Sequence, residues 1–141
     1  MLGDVGGAMT LDLFCGTGAL AIEALSRGAA TATLVDTRTS LARRNVNQLG
    51  LADRCEIVRS EAVRYLRRAG RRFDLVFCDP PYRLADRLEG ELDSLIGPLL
   101  AKGGRLIIES AARRPLGLGL PLLAERRFGD TLIRIHEAPR R

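Results

Sequence analysis

The sequence predicts an α/β protein: a mainly parallel sheet covered by helices and finished by an antiparallel C-terminal hairpin strand. Three observations carry this. Short apolar runs alternate with helical patterns through the first hundred residues, the order that feeds parallel strands through crossover helices. A glycine-bearing turn, Cys15-Gly16-Thr17-Gly18, joins the first run to the first helix. Two late runs flank Gly129-Asp130, a hairpin signal.

The elements follow in order. Thr10–Phe14 is a short apolar run ending at the glycine turn, and Ala19–Arg27 reads as a helix stopped by Gly28. Thr31–Val35 is rich in β-branched residues and ends at Asp36. Thr39 or Ser40 can cap a helix that runs to Leu49, with Gly50 as its stop. Cys55–Arg59 is a third strand, and Glu61–Ala69 a helix closed by Gly70. Phe73–Cys78 is the fourth strand, apolar enough for burial on both faces. Asp86–Leu100 is a weaker helix, since Gly90, Gly97 and Pro98 fall within it. Lys102-Gly103-Gly104 reads as a turn and Arg105–Glu109 as a fifth strand. Residues 111–121 read as a loop, after which Leu122–Phe128 and Thr131–Glu137 form the hairpin.

A chain of 141 residues suits one domain, 1–141. Its three cysteines show no C-x-x-C spacing. That argues against a disulfide framework or a metal site and fits a reducing cytoplasm. No apolar run approaches membrane length. The formal net charge is +5, and Lys102 is the only lysine among 22 basic residues. Arginine grips phosphate with a forked donor set, so a polyanionic partner is one reading. A compositional bias toward Arg, Ala, Gly and Leu is the other, because the arginine pairs are scattered.

The glycine turn and the acids around it suggest a nucleoside site. Gly16-x-Gly18-x-x-Ala21 fits a dinucleotide fingerprint, and Asp36 closes the next strand, where a carboxylate accepts ribose hydroxyls. Asp12 lies inside the first strand end. A carboxylate there repels phosphate and welcomes an ammonium group. Glu61 follows the third strand, where it can meet an adenine amino group or simply complement a helix dipole. S-adenosylmethionine has the matching parts: an ammonium, a ribose, an adenine and no phosphate.

The fourth strand ends in Asp79-Pro80-Pro81-Tyr82. The prolines fix φ and lack N–H groups, so the loop presents acceptors. Such a loop suits a substrate that brings an exocyclic NH₂, with Tyr82 as a stacking face for a flipped base. Acceptors at Asp79 and the Pro80 carbonyl would offset charge developing on the amino nitrogen during direct methyl transfer. Arg83, just after Tyr82, reads equally as a group that reaches a phosphate and as a solvated arginine. His136 sits in the last strand, away from this edge, and Asn45 and Asn47 read as exposed polar positions.

These residues carry a family resemblance. L-D-L-F-C-G-T-G-A-L-A-I-E-A-L-S-R-G-A, L-V-D, F-D-L-V-F-C-D-P-P-Y and F-G-D-T-L-I-R-I resemble the bacterial 16S rRNA (guanine-N2)-methyltransferase family, small-subunit methyltransferase D type. The resemblance implies a Rossmann-like class I S-adenosylmethionine-dependent methyltransferase fold with a seven-stranded sheet. It implies 16S rRNA or the small ribosomal subunit as partner, and a monomer is expected. By position it puts the cofactor loop on Asp12, Gly16 and Gly18, the ribose acid on Asp36, the adenine-side acid on Glu61, and the catalytic loop on Asp79, Pro80, Pro81 and Tyr82. Members of that family carry a segment before the first strand that closes the cofactor site, and here only residues 1–9 precede it. An exposed sheet surface is therefore expected. Three alternatives stay open: a DNA or other nucleic-acid amino methyltransferase, a nicotinamide dehydrogenase on the same glycine loop, and a cofactor-binding form with impaired catalysis.

Overall fold

The computed structural model describes residues 3–81 and 83–140. The elements run β1 (Met9–Leu13), α1 (Ala19–Ser26), β2 (Thr31–Asp36), α2 (Ser40–Gln48), β3 (Cys55–Arg59), α3 (Ala62–Arg68), β4 (Phe73–Cys78), α4 (Ala85–Ile96), β5 (Leu100–Ala111), β6 (Leu122–Phe128) and β7 (Thr131–Glu137). They form one seven-stranded sheet in the order β3-β2-β1-β4-β5-β7-β6. Neighbours from β3 to β5 pair in parallel, and β7 runs antiparallel to both β5 and β6. The mixed sheet and the hairpin are those the sequence predicts. Among the described residues, no helix is long and apolar enough to cross a membrane.

Strand alternation sends side chains to two cores, as a period of two requires. Leu11, Leu13, Val76, Cys78, Leu106 and Ile108 pack toward α3 and α4, with Leu92 and Ile96 fully buried against them. Ala32, Leu34, Leu75 and Phe77 pack toward α1 and α2. Burying Phe73 and Phe77, each 1% exposed, contributes about 2–3 kcal/mol apiece. Helix α1 offers Ala21 and Ala24, both at 0% exposure, so it lies close on the sheet. Strand β6 is exposed along its whole length, in keeping with its place at the sheet edge.

Three expectations change. Lys102-Gly103-Gly104 does not separate helix from strand; β5 begins at Leu100 and carries these residues as a bulge. Phe73 pairs with Leu100, yet Leu75 pairs with Arg105. Gly103 takes φ +74°, and a Cβ on Gly104 would stand 2.8 Å from the Ala101 carbonyl oxygen, so the bulge needs both glycines. Helix α4 ends at Ile96, and Gly97–Leu99 form a 3-10 turn. Thr39 occupies the N-cap of α2 with no side-chain cap bond and is buried instead.

Several arginines serve the fold rather than a polyanion. Arg54 donates to the carbonyls of Leu25 (3.1 Å) and Ala29 behind α1. Arg71 donates to Thr33 Oγ1 at 2.6 Å and to Glu56 at 2.8 Å, and lies over the Phe73 ring. His136 is buried in β7, with Nδ1 3.0 Å from the Leu120 carbonyl oxygen.

Candidate active site

The site arises from strand register. Val35, Leu13, Cys78 and Ile108 stand side by side across β2, β1, β4 and β5. One residue further along each strand come Asp36, Phe14, Asp79 and Glu109. Parallel pairing therefore lines up three acids and one aromatic ring along the carboxyl edge, where ligands of open α/β sheets bind.

The turn after β1 is sharply coiled. Phe14, Gly16 and Gly18 all have positive φ, at 62°, 53° and 84°. Glycine accepts such angles freely; for Phe14 they store about 1 kcal/mol or more of strain. A Cβ on Gly18 would lie 3.0 Å from Leu34 Cδ2, so this glycine also lets α1 approach β2. Two side chains fasten the turn. Asp36 Oδ2 accepts the Gly16 N–H at 2.9 Å, and Asn45 Nδ2 donates to the Thr17 carbonyl at 2.9 Å. Asn45 is thus half-buried and tied to the loop, not a free polar position as the sequence suggests.

Two adjoining cavities share Phe14, Asp36 and Pro81 as their common wall. One, of about 370 Å³, reaches from Asp36 to Glu61 and on to α4. The other, of about 650 Å³, is bounded by Asp79, Pro80, Arg83, Glu109 and Thr131. Arg114 and Asp86 also line it, paired at 2.7 Å. The structure brings together Asp12, Gly16, Gly18, Asp36, Asp79, Pro80 and Pro81 at one edge, with Glu61 at the far end of the smaller cavity. Tyr82 lies outside the described residues. The Pro81 carbonyl accepts the Leu84 N–H at 2.9 Å, which ties the loop to the start of α4.

The electrostatics are those of crowded acids. Asp12 is 2% exposed and accepts the Ala21 N–H at 3.2 Å. Burial raises its pKa from 3.8 to about 7; the bond from Ala21 opposes this, and the nearby charges of Asp79 and Asp36 add to it. Asp79 is raised by desolvation, against a hydrogen bond from Glu109. Glu109 is raised by desolvation, by the Asp79 charge and by that same hydrogen bond. The two carboxyls therefore act on one another across the ends of β4 and β5. Cys15 and Cys78 are buried among these acids, and burial pushes the Cys15 thiol up to about 12 and Cys78 higher still. Both are inert apolar groups.

Sequence reasoning missed Phe14, Asn45 and Glu109. The first two depend on a backbone angle and a helix orientation that no motif encodes. Glu109 was within reach: I-I-E repeats the pattern of L-V-D and F-C-D, an apolar strand ending on an acid.

Residues 1–137 match the protein family described as conserved hypothetical protein 95. Over 122 residues the chain is 35% identical to the ribosomal RNA large subunit methyltransferase K/L of Marinomonas sp. (strain MWYL1), covering 77% of this chain and 17% of that relative. Over 78 residues it is 40% identical to the ribosomal RNA small subunit methyltransferase D of Escherichia coli (strain K12), covering 54% of this chain and 39% of that relative. The matched parts thus span well under half the length of both curated relatives. Among solved structures, the putative methyltransferase yhhF from Escherichia coli superposes with a TM-score of 0.79 at 30% identity, over 95% of this chain and 77% of that one.

Proposed function

The chain belongs to the family described as conserved hypothetical protein 95, and we propose that it is an S-adenosylmethionine-dependent methyltransferase acting on the N2 amino group of a guanine in 16S rRNA. The observation that carries this reading is the register that seats Asp36 and Asp79 on one sheet edge, in cavities sharing a wall.

The residues present fit the cofactor. Asp36 holds the glycine turn, Asp12 holds the first turn of α1, and Glu61 lines the smaller cavity, whose wall on α3 and α4 also carries Arg67, paired with Glu91, and Arg87. The acids Asp12 and Asp36 flank the glycine turn, where they disfavour a pyrophosphate and suit a cationic nucleoside. Gly16 is open on the side where a Cβ would stand, with nothing within 4 Å, so a ligand can approach the backbone closely. When bound, S-adenosylmethionine supplies a methyl group on a sulfonium, whose bonding electrons stay with sulfur on transfer.

The chain's own residues divide the rest of the work. Asp36 holds the ribose hydroxyls while keeping the Gly16 loop folded, and Glu61 meets the adenine amino group. Asp12 ionises to face the ammonium. Asp79 and the Pro80 carbonyl accept hydrogen bonds from the amino group of a flipped guanine. They draw it into line and stabilise the positive charge that grows on nitrogen. Tyr82 stacks on the base, and Arg83, at the cavity wall, takes a flanking phosphate.

The match to the large-subunit methyltransferase K/L over 122 residues favours one second reading, a guanine of large-subunit rRNA. Labelled methyl transfer to undermethylated small and large subunits, followed by mapping of the modified nucleotide, separates the two. Label on one N2 of 16S rRNA is expected. Label confined to the large subunit moves the target, and tight binding of NAD in place of S-adenosylhomocysteine ends the methyltransferase reading.

A further inference from the structure

We propose that Glu109 is a positioning residue of the transfer reaction, sharing a proton with Asp79 so that the Asp79 carboxylate stays charged and turned toward the amino group. This rests on the methyltransferase reading above and extends it to a residue outside the D-P-P-Y motif.

The geometry comes from the sheet. Cys78 pairs with Ile108 in parallel, so the next residues, Asp79 and Glu109, emerge side by side from β4 and β5. Both line the larger cavity, and both also line a smaller apolar cavity on the α1 side of the sheet, beside Phe77 and Ile107. Their carboxyls stand near enough to act on one another directly, each shifting the other's titration. Two carboxylates this close cannot both ionise cheaply, and one proton shared between them relieves the repulsion.

Acids predominate among the titratable groups around the pair. Asp12 of β1 lies within reach of the Asp79 charge, and Asp36, Asp86 and Asp130 line the same larger cavity from β2, α4 and the β6–β7 turn. Asp86 is neutralised by Arg114, and Glu23 of α1 by Arg27. Among the described residues lining the larger cavity, Arg83 is a further cation at the wall.

The consequence is a division of labour between two acids. Glu109 donates to one oxygen of Asp79, which fixes the carboxylate plane and leaves the other oxygen for the substrate. Once the nitrogen has gained its methyl group, its N–H bond breaks toward that oxygen. The N–H electron pair stays on nitrogen, a new O–H bond forms on Asp79, and the pair then releases a proton to solvent. Asp79 touches the substrate; Glu109 acts only through Asp79.

Two variants of the full chain test this. Glu109→Gln still donates to Asp79 but carries no charge, and Glu109→Ala does neither. In the free wild-type protein, side-chain carboxyl ¹³C signals of Asp79 and Glu109 should titrate as a coupled pair in two separated steps. In the Gln variant Asp79 should titrate in one step at lower pH. With small ribosomal subunits as substrate, Glu109→Ala should lose about 10–100-fold in turnover while S-adenosylhomocysteine affinity holds. Glu109→Gln should recover part of that loss and move the acid limb of the pH profile to lower pH. Asp79 titrating as an isolated carboxyl, unmoved by Glu109→Gln, would overturn the proposal. So would two variants with wild-type turnover and pH profile. Coupled titration in a wild-type protein that transfers no methyl group would support the pair and strike only the methyltransferase reading.

Discussion

Replacing Asp12 by Asn should stabilise the fold at alkaline pH and weaken the cofactor site. Asp12 sits 2% exposed beneath the glycine turn, with a pKa raised to about 7 from 3.8, mainly by burial. The unfolded chain therefore ionises this carboxyl near pH 4, while the folded chain keeps it protonated up to about pH 7. Between those limits the folded state holds the extra proton, so stability falls as pH rises. The full difference amounts to about 4 kcal/mol against the charged form above pH 7. Asn cannot ionise, so it escapes that cost, and it keeps an acceptor for the Ala21 N–H. Its amide N–H groups need partners, and an unpaired one costs about 1 kcal/mol or more at any pH. The variant should thus be slightly less stable than wild type at pH 4.5. It should gain about 3 kcal/mol relative to wild type by pH 8, roughly 10 °C in midpoint for a domain of this size. Urea and thermal unfolding of both proteins across that range measure the gap directly. A gap that does not change with pH would refute the argument, because only titration of Asp12 makes it grow. Affinity for S-adenosylhomocysteine should move the other way, since Asn offers its ammonium no charge.

Other substitutions sort by role. Asp79→Ala should cut methyl transfer by about 10²–10⁴-fold with S-adenosylhomocysteine affinity nearly unchanged, by calorimetry. Asp36→Ala should weaken that affinity by about 10–100-fold, as loss of hydrogen bonds to a charged group implies, and should expose the Gly16 amide to hydrogen exchange. Were these two variants to behave alike in binding and turnover, the proposed division of the site would fail. Gly18→Ala meets both a φ of +84° and Leu34 Cδ2 at 3.0 Å. It should cost about 1–3 kcal/mol in chemical denaturation; a midpoint matching wild type would show that the turn relaxes freely.

Much of the fold was legible because period and punctuation agreed. The β-branched run of β2 and its closing Asp36, and the apolar run of β4, fixed both strands and the edge on which their acids emerge. The bulge in β5 was not legible, since Lys102-Gly103-Gly104 satisfies a turn as well as a bulge, and the choice depends on Phe73 across the sheet. The site showed the same division. Asp36 and Asp79 follow from strand ends, which a motif marks. Glu109 gains its meaning only from lying next to β4, and pairing between strands distant in sequence is written in no local pattern. The arginines divided as well: Arg54 and Arg71 bind carbonyls, a hydroxyl and a carboxylate of the fold, so net charge overstated what is available to a nucleic acid.

Phe14, held at φ 62°, is a partition with a tenant on either side. It borders both the cavity that runs to Glu61 and the cavity that runs to Glu109. If the proposed division of the site holds, an inhibitor bulky beside Asp36 would crowd the larger cavity and compete with the nucleic-acid substrate as well as with the cofactor. Trimming the ring to Ala would merge the two rooms, and a single molecule spanning both would then gain affinity while each half alone lost it.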